Sequence, residues 1–202
     1  MKSTRVITKA ALIFKRKGGI LTTALAARLG IAPRTLYAMR DLGLLERLDH
    51  GLYRLVGVPP HEAFDLVTVR IRVPKAVVCL ISALSLYGLT TQVPHEVQVA
   101  LQRGDQTPRI SFPPIRVFRF SSAAYAHGID RVRVGGVALL VYSPEKTLAD
   151  CLRYRGKIGL DTALEGMKSY VKRGRVDVSA LLHFARICRV ERLMSRYLEA
   201  LL

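Results

Sequence analysis

Apolar residues in the first quarter of the chain recur at helical spacing, then give way to short strand-like runs. Val6, Ala10, Ile13 and Phe14 fall on one face of a helix running roughly from Thr4 to Lys17, which Gly18-Gly19 ends. A short helix from about Thr23 to Leu29 follows, with Thr22 or Thr23 as its N-cap. Gly30-Ile31-Ala32 makes a turn, and Pro33 opens a third helix at a position where its missing N–H is harmless. Leu42-Gly43 closes that helix. Leu44 to Leu48 and Leu52 to Leu55 then read as two short strands around Asp49-His50-Gly51. Ala26 and Gly30 supply the small residues that a tight turn between two helices needs, with Leu25, Leu29, Leu36 and Met39 as the core between them. Helix, helix, turn, helix, hairpin is the order of a winged helix-turn-helix.

Beyond Val56-Gly57-Val58-Pro59-Pro60 the pattern changes. Glycine followed by two prolines ends regular structure, so residues 1–57 are expected to form one domain and 61–202 another. Glu62 to Arg72 suggests a helix, Ala76 to Ile81 a buried strand, and Ser82 to Tyr87 a helix. Val97, Val99 and Leu101 alternate as a strand does, and Ile115 to Phe120 reads similarly. Arg131 to Val134, Gly135-Gly136 and Val137 to Tyr142 form a second hairpin signal. Ser143 then caps a helix with Pro144 at its first position and Glu145 in its first turn. Later helices cover Leu160–Lys172, Val178–Ile187 and Val190–Leu202. The expected fold class is α+β: an N-terminal winged helix-turn-helix followed by a mixed α/β domain with strands first and helices last.

Charge changes the picture more than composition does. Half of the 202 residues are hydrophobic, enough for a packed core, but 32 Lys and Arg face 15 Asp and Glu, a net charge of +17. An excess of that size points to a polyanionic partner, most commonly nucleic acid. The longest apolar stretch, Ala76 to Leu89, is interrupted by serines and is shorter than a bilayer requires. Residues Met1 to Lys17 lack the apolar core of a signal peptide. Cys79, Cys151 and Cys188 are far apart and odd in number, so they read as reduced thiols in a cytoplasmic chain with no metal site and no cofactor. The five histidines are scattered without ligand spacing.

With Leu36 facing inward, Arg34, Tyr37, Ala38 and Asp41 point outward from the third helix, and Thr35 lies at the edge. The N-terminal residues of a recognition helix read base edges, which makes Arg34 the candidate for a bidentate contact to guanine. Ala38 lets the helix approach the groove, while Thr35 and Tyr37 suit phosphate contacts. Thr23 on the second helix, Lys15, Arg16 and Lys17 at the end of the first, and Arg47, His50 and Arg54 on the hairpin complete the expected DNA-binding set. Asp41 on the same face is an objection, since it repels phosphate.

The chain resembles the AbiEi family of antitoxins from abortive-infection toxin–antitoxin systems. Gly30-Ile31-Ala32-Pro33-Arg34-Thr35-Leu36-Tyr37 and Gly51-Leu52-Tyr53-Arg54-Leu55 are similar to its winged-helix segment. Ile81-Ser82-Ala83-Leu84, Tyr87-Gly88-Leu89-Thr90 and the run from Tyr142 to Cys151 resemble its C-terminal motifs, as does Arg153-Tyr154-Arg155-Gly156-Lys157-Ile158-Gly159. The resemblance implies a repressor that binds inverted repeats in double-stranded DNA at its own promoter. It also implies an antitoxin C-terminal domain and a nucleotidyltransferase-like toxin countered without a tight complex. A monomer in solution is expected rather than a stable dimer.

The residues themselves leave the C-terminal part more open. Glu145, Lys146 and Asp150 invite a catalytic reading, yet Glu145 suits a helix dipole and Asp150 suits a structural bond to Tyr154 or Arg153, so no catalytic residue and no enzyme is expected. Arg153, Arg155 and Lys157 form one basic group, and Lys172, Arg173 and Arg175 another. Arg189, Arg192 and Arg196 recur at helical spacing and should share a face. These groups read as a second nucleic-acid surface, as the antitoxin's working surface, or as a solvated helix face. Two other functions fit the same chain: a nuclease targeted by a winged helix, and an RNA- or protein-binding adaptor.

Overall fold

A computed structural model describes residues 2–58, 63–134 and 136–202. The fold is mixed α/β, with 50% helix and 20% strand. It divides by packing into two units. The first comprises Met1–Pro74 with Arg109–Pro113 and Arg133–Leu139. The second comprises Lys75–Pro108, Pro114–Val132 and Leu140–Leu202. Pro59, Pro60, His61 and Glu62 of the expected boundary, and Gly135 of the second hairpin, lie outside the described residues.

In the first unit, α1 (Lys2–Arg16) ends at two glycines with φ of +76° and +80°, values that side chains rarely adopt. The chain reverses there into β1 (Ile20–Thr22), then runs through α2 (Thr23–Arg28), α3 (Pro33–Asp41), β2 (Leu45–Asp49), β3 (Leu52–Leu55) and α4 (Phe64–Arg72). Thr22 is the N-cap of α2: its hydroxyl accepts from the Leu25 N–H at 3.1 Å. The strands form an antiparallel sheet in the order β1-β3-β2, with Ile20 opposite Arg54 and Glu46 also opposite Arg54. Three residues between a glycine pair and a helix are too few for a visible alternation, which is why β1 is absent from the sequence reading.

Ala10, Phe14, Leu21, Ala26, Leu36 and Met39 are buried together at the centre of this unit. Full burial of a side chain such as Phe14 or Leu36 stabilises the fold by about 1.5–3 kcal/mol. Leu25 and Leu29 pack against this core only in part. Val6 departs from expectation: it is 52% exposed, because α1 buries the face carrying Ala10 and Phe14, with Ile7 and Ile13 at its margins.

The second unit is built on the strands β4 (Val77–Val78), β5 (Val97–Gln102), β6 (Ile115–Phe120), β7 (Ile129–Val134) and β8 (Val137–Tyr142). Their order is β6-β5-β4-β8-β7, with the hairpin tip Arg133–Leu139 counted by packing in the first unit. β4 is antiparallel to β5 and parallel to β8, and β5 is parallel to β6. β5 is an internal strand buried on both faces, so Gln98 and Ala100 are buried despite the alternating pattern.

The helices are α5 (Leu80–Leu86), α6 (Ser122–Ala126), α7 (Pro144–Arg153), α8 (Arg155–Ile158), α9 (Leu160–Lys172), α10 (Val178–Ile187) and α11 (Glu191–Leu201). The strand expected over Ala76 to Ile81 is cut to two residues. Leu80 turns the chain at φ +49°, and α5 starts there. Gln98 fixes this junction: its side-chain oxygen accepts from the Ile81 N–H, and its own N–H donates to the Ser82 hydroxyl, both at 2.9 Å. Among the described residues no helix is long and apolar enough to cross a membrane.

Candidate nucleic-acid interface

Helix α3 presents Arg34, Tyr37, Ala38, Arg40 and Asp41 to solvent while Leu36 and Met39 anchor its other side. Pro33 at its first position fixes the chain's entry, and Gly30, at φ +81°, makes the turn from α2. Thr35 corrects the sequence reading. It is 8% exposed and has little surface to offer a phosphate.

One cleft of about 710 Å³ lies between the outer face of α3, the start of α2 and the β2–β3 hairpin. Thr23, Tyr37, Arg47 and His50 line it, together with Arg40. Thr23 closes its floor by donating its backbone N–H to the Gly51 carbonyl at 2.9 Å, which ties α2 to the hairpin turn. Arg47 donates to the Asp49 carbonyl at 3.3 Å and lies 3.1 Å from His50 Nδ1, so it stays at the hairpin tip.

Arg40 is the functional candidate that the sequence reading missed. Its guanidinium donates twice to Asp41, at 3.0 and 2.8 Å, and lies 5.4 Å from the centre of the Tyr37 ring. The pairing answers the objection that Asp41 raised, because an adjacent cation offsets its charge. The i,i+1 spacing of Arg40 and Asp41 is not a helical pairing distance, so no sequence rule pointed to it.

A second hollow, of about 510 Å³, flanks α3 on its other side and is lined by Val6, Ile7, Gly30, Ala32, Arg34, Thr35 and Ala38. Arg34 and Ala38 therefore line this hollow, while Tyr37 and Arg40 of the same helix line the first cleft. The remaining expected contacts are less central. Lys15, Arg16 and Lys17 are exposed at the far end of α1, about 15 Å along its axis from Val6 at 1.5 Å per residue. Arg54 is engaged: it pairs with Glu46 across the hairpin and lies 5.7 Å from the centre of the Phe64 ring.

The β2–β3 turn has its own clamp. Asp49 accepts from the Ser111 hydroxyl at 2.7 Å and the His50 N–H at 2.6 Å, and pairs with Arg72. The Ser111 bond, then the His50 amide and the Arg72 guanidinium, hold the Asp49 carboxyl below the usual carboxylate range.

In the second unit, Arg153, Arg155, Arg189 and Arg192 come together along a groove of about 480 Å³, with Arg186 added. Lys157, Lys172, Arg173 and Arg196 are not among its lining residues. Arg173 instead donates to the carbonyls of Tyr87 and Gly88 at the end of α5. Arg189 does not share a helical face with Arg192 and Arg196, because it lies in the turn before α11 at φ +58°.

The motif from Ser143 to Cys151 is interior. Lys146 Nζ lies 2.5 Å from Asp150 Oδ2, 4.1 Å from the Tyr142 ring centre and 5.0 Å from that of Phe120. Cys188 Sγ donates to the other Asp150 oxygen at 3.1 Å. The Asp150 carboxylate thus bonds neither the Tyr154 nor the Arg153 side chain; the Tyr154 N–H donates to the Asp150 backbone carbonyl at 2.8 Å, and the Tyr154 hydroxyl donates to the Arg119 carbonyl. Burial pushes the Cys79 and Cys151 thiols well above their ordinary value, which leaves them poor nucleophiles. Among the described residues no cluster of three or more His, Cys, Asp or Glu could hold a metal ion.

Residues 9–56 match the model of a family described as "Transcriptional regulator, AbiEi antitoxin". No curated protein matches the chain. Among solved structures, the chain is similar to the RV2827C protein from Mycobacterium tuberculosis, with a TM-score of 0.51 and 14% identity over 98% of this chain and 80% of that one. At that identity the likeness speaks to fold alone. The segment that builds α3, its cleft and its hairpin, residues 9–56, thus carries the signature of the AbiEi antitoxin transcriptional regulators.

Proposed function

We propose that this protein is a sequence-specific DNA-binding repressor and the antitoxin of a toxin–antitoxin system. The first unit is read as a winged helix-turn-helix in which α2 supports, α3 enters the major groove and β2–β3 is the wing. The carrying observation is the exposed face of α3, with Arg34 and Ala38 lining one hollow and Tyr37 and Arg40 lining a cleft together with Arg47 and His50 of the hairpin. Arg34 takes the role of base reader, bidentate to a guanine. Arg40, Arg47 and Tyr37 take phosphates, which set register. Thr23 and His50 lie close enough to the same cleft to join them, and Lys15, Arg16 and Lys17 meet flanking phosphates of a longer or bent site.

The match over residues 9–56 supports extending the reading to a toxin–antitoxin system. In that reading the protein is a cytoplasmic monomer that represses its own promoter through inverted repeats, is paired with a nucleotidyltransferase-like toxin, and catalyses no reaction. The test is a reporter gene driven by the DNA upstream of the protein's own gene. Co-expressed protein should repress it, and Arg34→Ala should relieve the repression while leaving protein abundance unchanged. Equal reporter output with and without the protein would contradict the proposal.

A further inference from the structure

The arginine groove of the second unit has features that an ordinary solvated helix face lacks. Arg153, Arg155, Arg186, Arg189 and Arg192 come from the ends of α7 and α10 and the starts of α8 and α11, so four helix termini converge on one volume of about 480 Å³. Glu191 is the sole carboxylate among the lining residues, and it is held by the Arg186 guanidinium at 2.7 Å. Five guanidiniums against one carboxylate leave a strong excess of positive charge in a small space.

The groove is also preorganised. Arg189 occupies the left-handed region at φ +58°, where side chains are rarely held unless their neighbours impose it. Both neighbours are buried, and Cys188 is fastened through its thiol to Asp150, itself paired with Lys146 inside α7. Arg155 is steadied by donating to the Leu152 carbonyl at 2.9 Å. The interior Lys146–Asp150–Cys188 chain thus sets where an arginine of the rim stands.

We propose that this groove is a binding site for a compact polyphosphate, of the size and charge of the triphosphate of a nucleotide. Guanidinium forks match phosphate oxygens in pairs, and a low-carboxylate rim favours multiple phosphates over a single carboxylate ligand. No aromatic side chain lines the groove, so it offers no stacking platform for bases of the kind that single-strand binders use. Of the other basic residues of this unit, Arg173 is bound to the Tyr87 and Gly88 carbonyls, and Lys157, Lys172 and Arg196 lie outside the lining. A localised site suits a short polyanion better than a polymer backbone.

The test uses the full chain and inorganic tripolyphosphate in titration calorimetry, with a single-stranded oligonucleotide of random sequence as a parallel probe. Tripolyphosphate should bind at one per chain and weaken with added salt. The double variant Arg189→Gly, Arg192→Ala should lower its affinity by about tenfold or more, the loss of charge-assisted hydrogen bonds to two guanidiniums. Glycine is comfortable at φ +58°, so this variant should keep the wild-type unfolding midpoint. Arg34→Ala, in the other unit, should leave tripolyphosphate binding unchanged. Absence of saturable tripolyphosphate binding, or binding indifferent to the double variant, would overturn the proposal. So would an oligonucleotide that binds through Arg189 and Arg192 while tripolyphosphate does not.

Discussion

Lys146 and Asp150 form an ion pair one helical turn apart, 2.5 Å between Nζ and Oδ2, with both side chains sealed from solvent. Two charges inside a core are tolerated only when each satisfies the other. Here the tyrosine and phenylalanine rings over the ammonium and the Cys188 thiol on the carboxylate complete the arrangement. Asp150→Ala or Lys146→Met alone should destabilise the protein by about 3–5 kcal/mol, because the partner is left charged and buried. The double substitution Lys146→Met, Asp150→Leu should recover much of that loss. Denaturant unfolding of the three variants checks this. Two single variants as stable as the parent would show that the pair has no structural role.

Arg34→Ala should weaken binding to the operator by about 1–3 kcal/mol and relax the base preference at one position of each half-site. Lys15→Ala or Lys17→Ala should weaken all sequences alike and reduce the salt slope by about one unit. Binding isotherms on the operator, single-base variants and random DNA separate the two behaviours. If all three substitutions act equally on every sequence, Arg34 does not read a base.

Gly136 sits where a methyl group has no room. A Cβ there would lie 2.7 Å from the Arg16 carbonyl oxygen, and the residue holds φ +77°. Gly136→Ala should therefore destabilise the first unit by more than about 1 kcal/mol. Gly30→Ala, with a similar φ but open space around it, should cost less. Thermal unfolding of the two variants side by side tests the order, and the reverse ranking would show that the contact with Arg16 yields easily.

The clamp on the β2–β3 turn predicts acid sensitivity of a definite sign. Hydrogen bonds from Ser111 and His50 and the Arg72 charge keep the folded Asp49 carboxyl below its unfolded value, which is about 3.9. A depressed folded pKa contributes stability above the unfolded value, and that contribution disappears as the pH falls through the folded value. Stability should therefore fall between pH 4 and pH 2 by an amount that Ser111→Ala reduces. Unfolding measured across that range for both proteins checks it; identical pH profiles would mean that the Ser111 bond does not hold the carboxylate.

The first unit was legible where local chemistry decided it. Gly18-Gly19, Pro33 and the Thr22 hydroxyl marked helix ends by mechanisms that act within a few residues. The outward set Arg34, Tyr37 and Ala38 followed from helical period once Leu36 faced in. What tertiary packing decided was not legible. Val6 fits the apolar stripe of α1 yet lies outside it, and Thr35 is buried although its own helix does not require it. The same holds in the second unit. A spacing of three and four put Arg189 with Arg192 and Arg196, but the turn at Arg189 is set by Cys188 reaching Asp150, 38 residues away in sequence. The partnership of Lys146 with Asp150 has helical spacing, but its burial depends on Phe120 and Tyr142 from the sheet.

The central claim is that α3 reads a specific DNA site, and the most direct measurement is gel-shift binding to the DNA upstream of the protein's own gene. It is run at two salt concentrations and against an excess of random competitor DNA. A complex that survives competitor and higher salt, and that Arg34→Ala weakens by about 1–3 kcal/mol, is the result this account predicts. A complex that competitor removes as readily as it removes binding to unrelated DNA would contradict it, and would leave the net charge of +17 as the whole basis of binding.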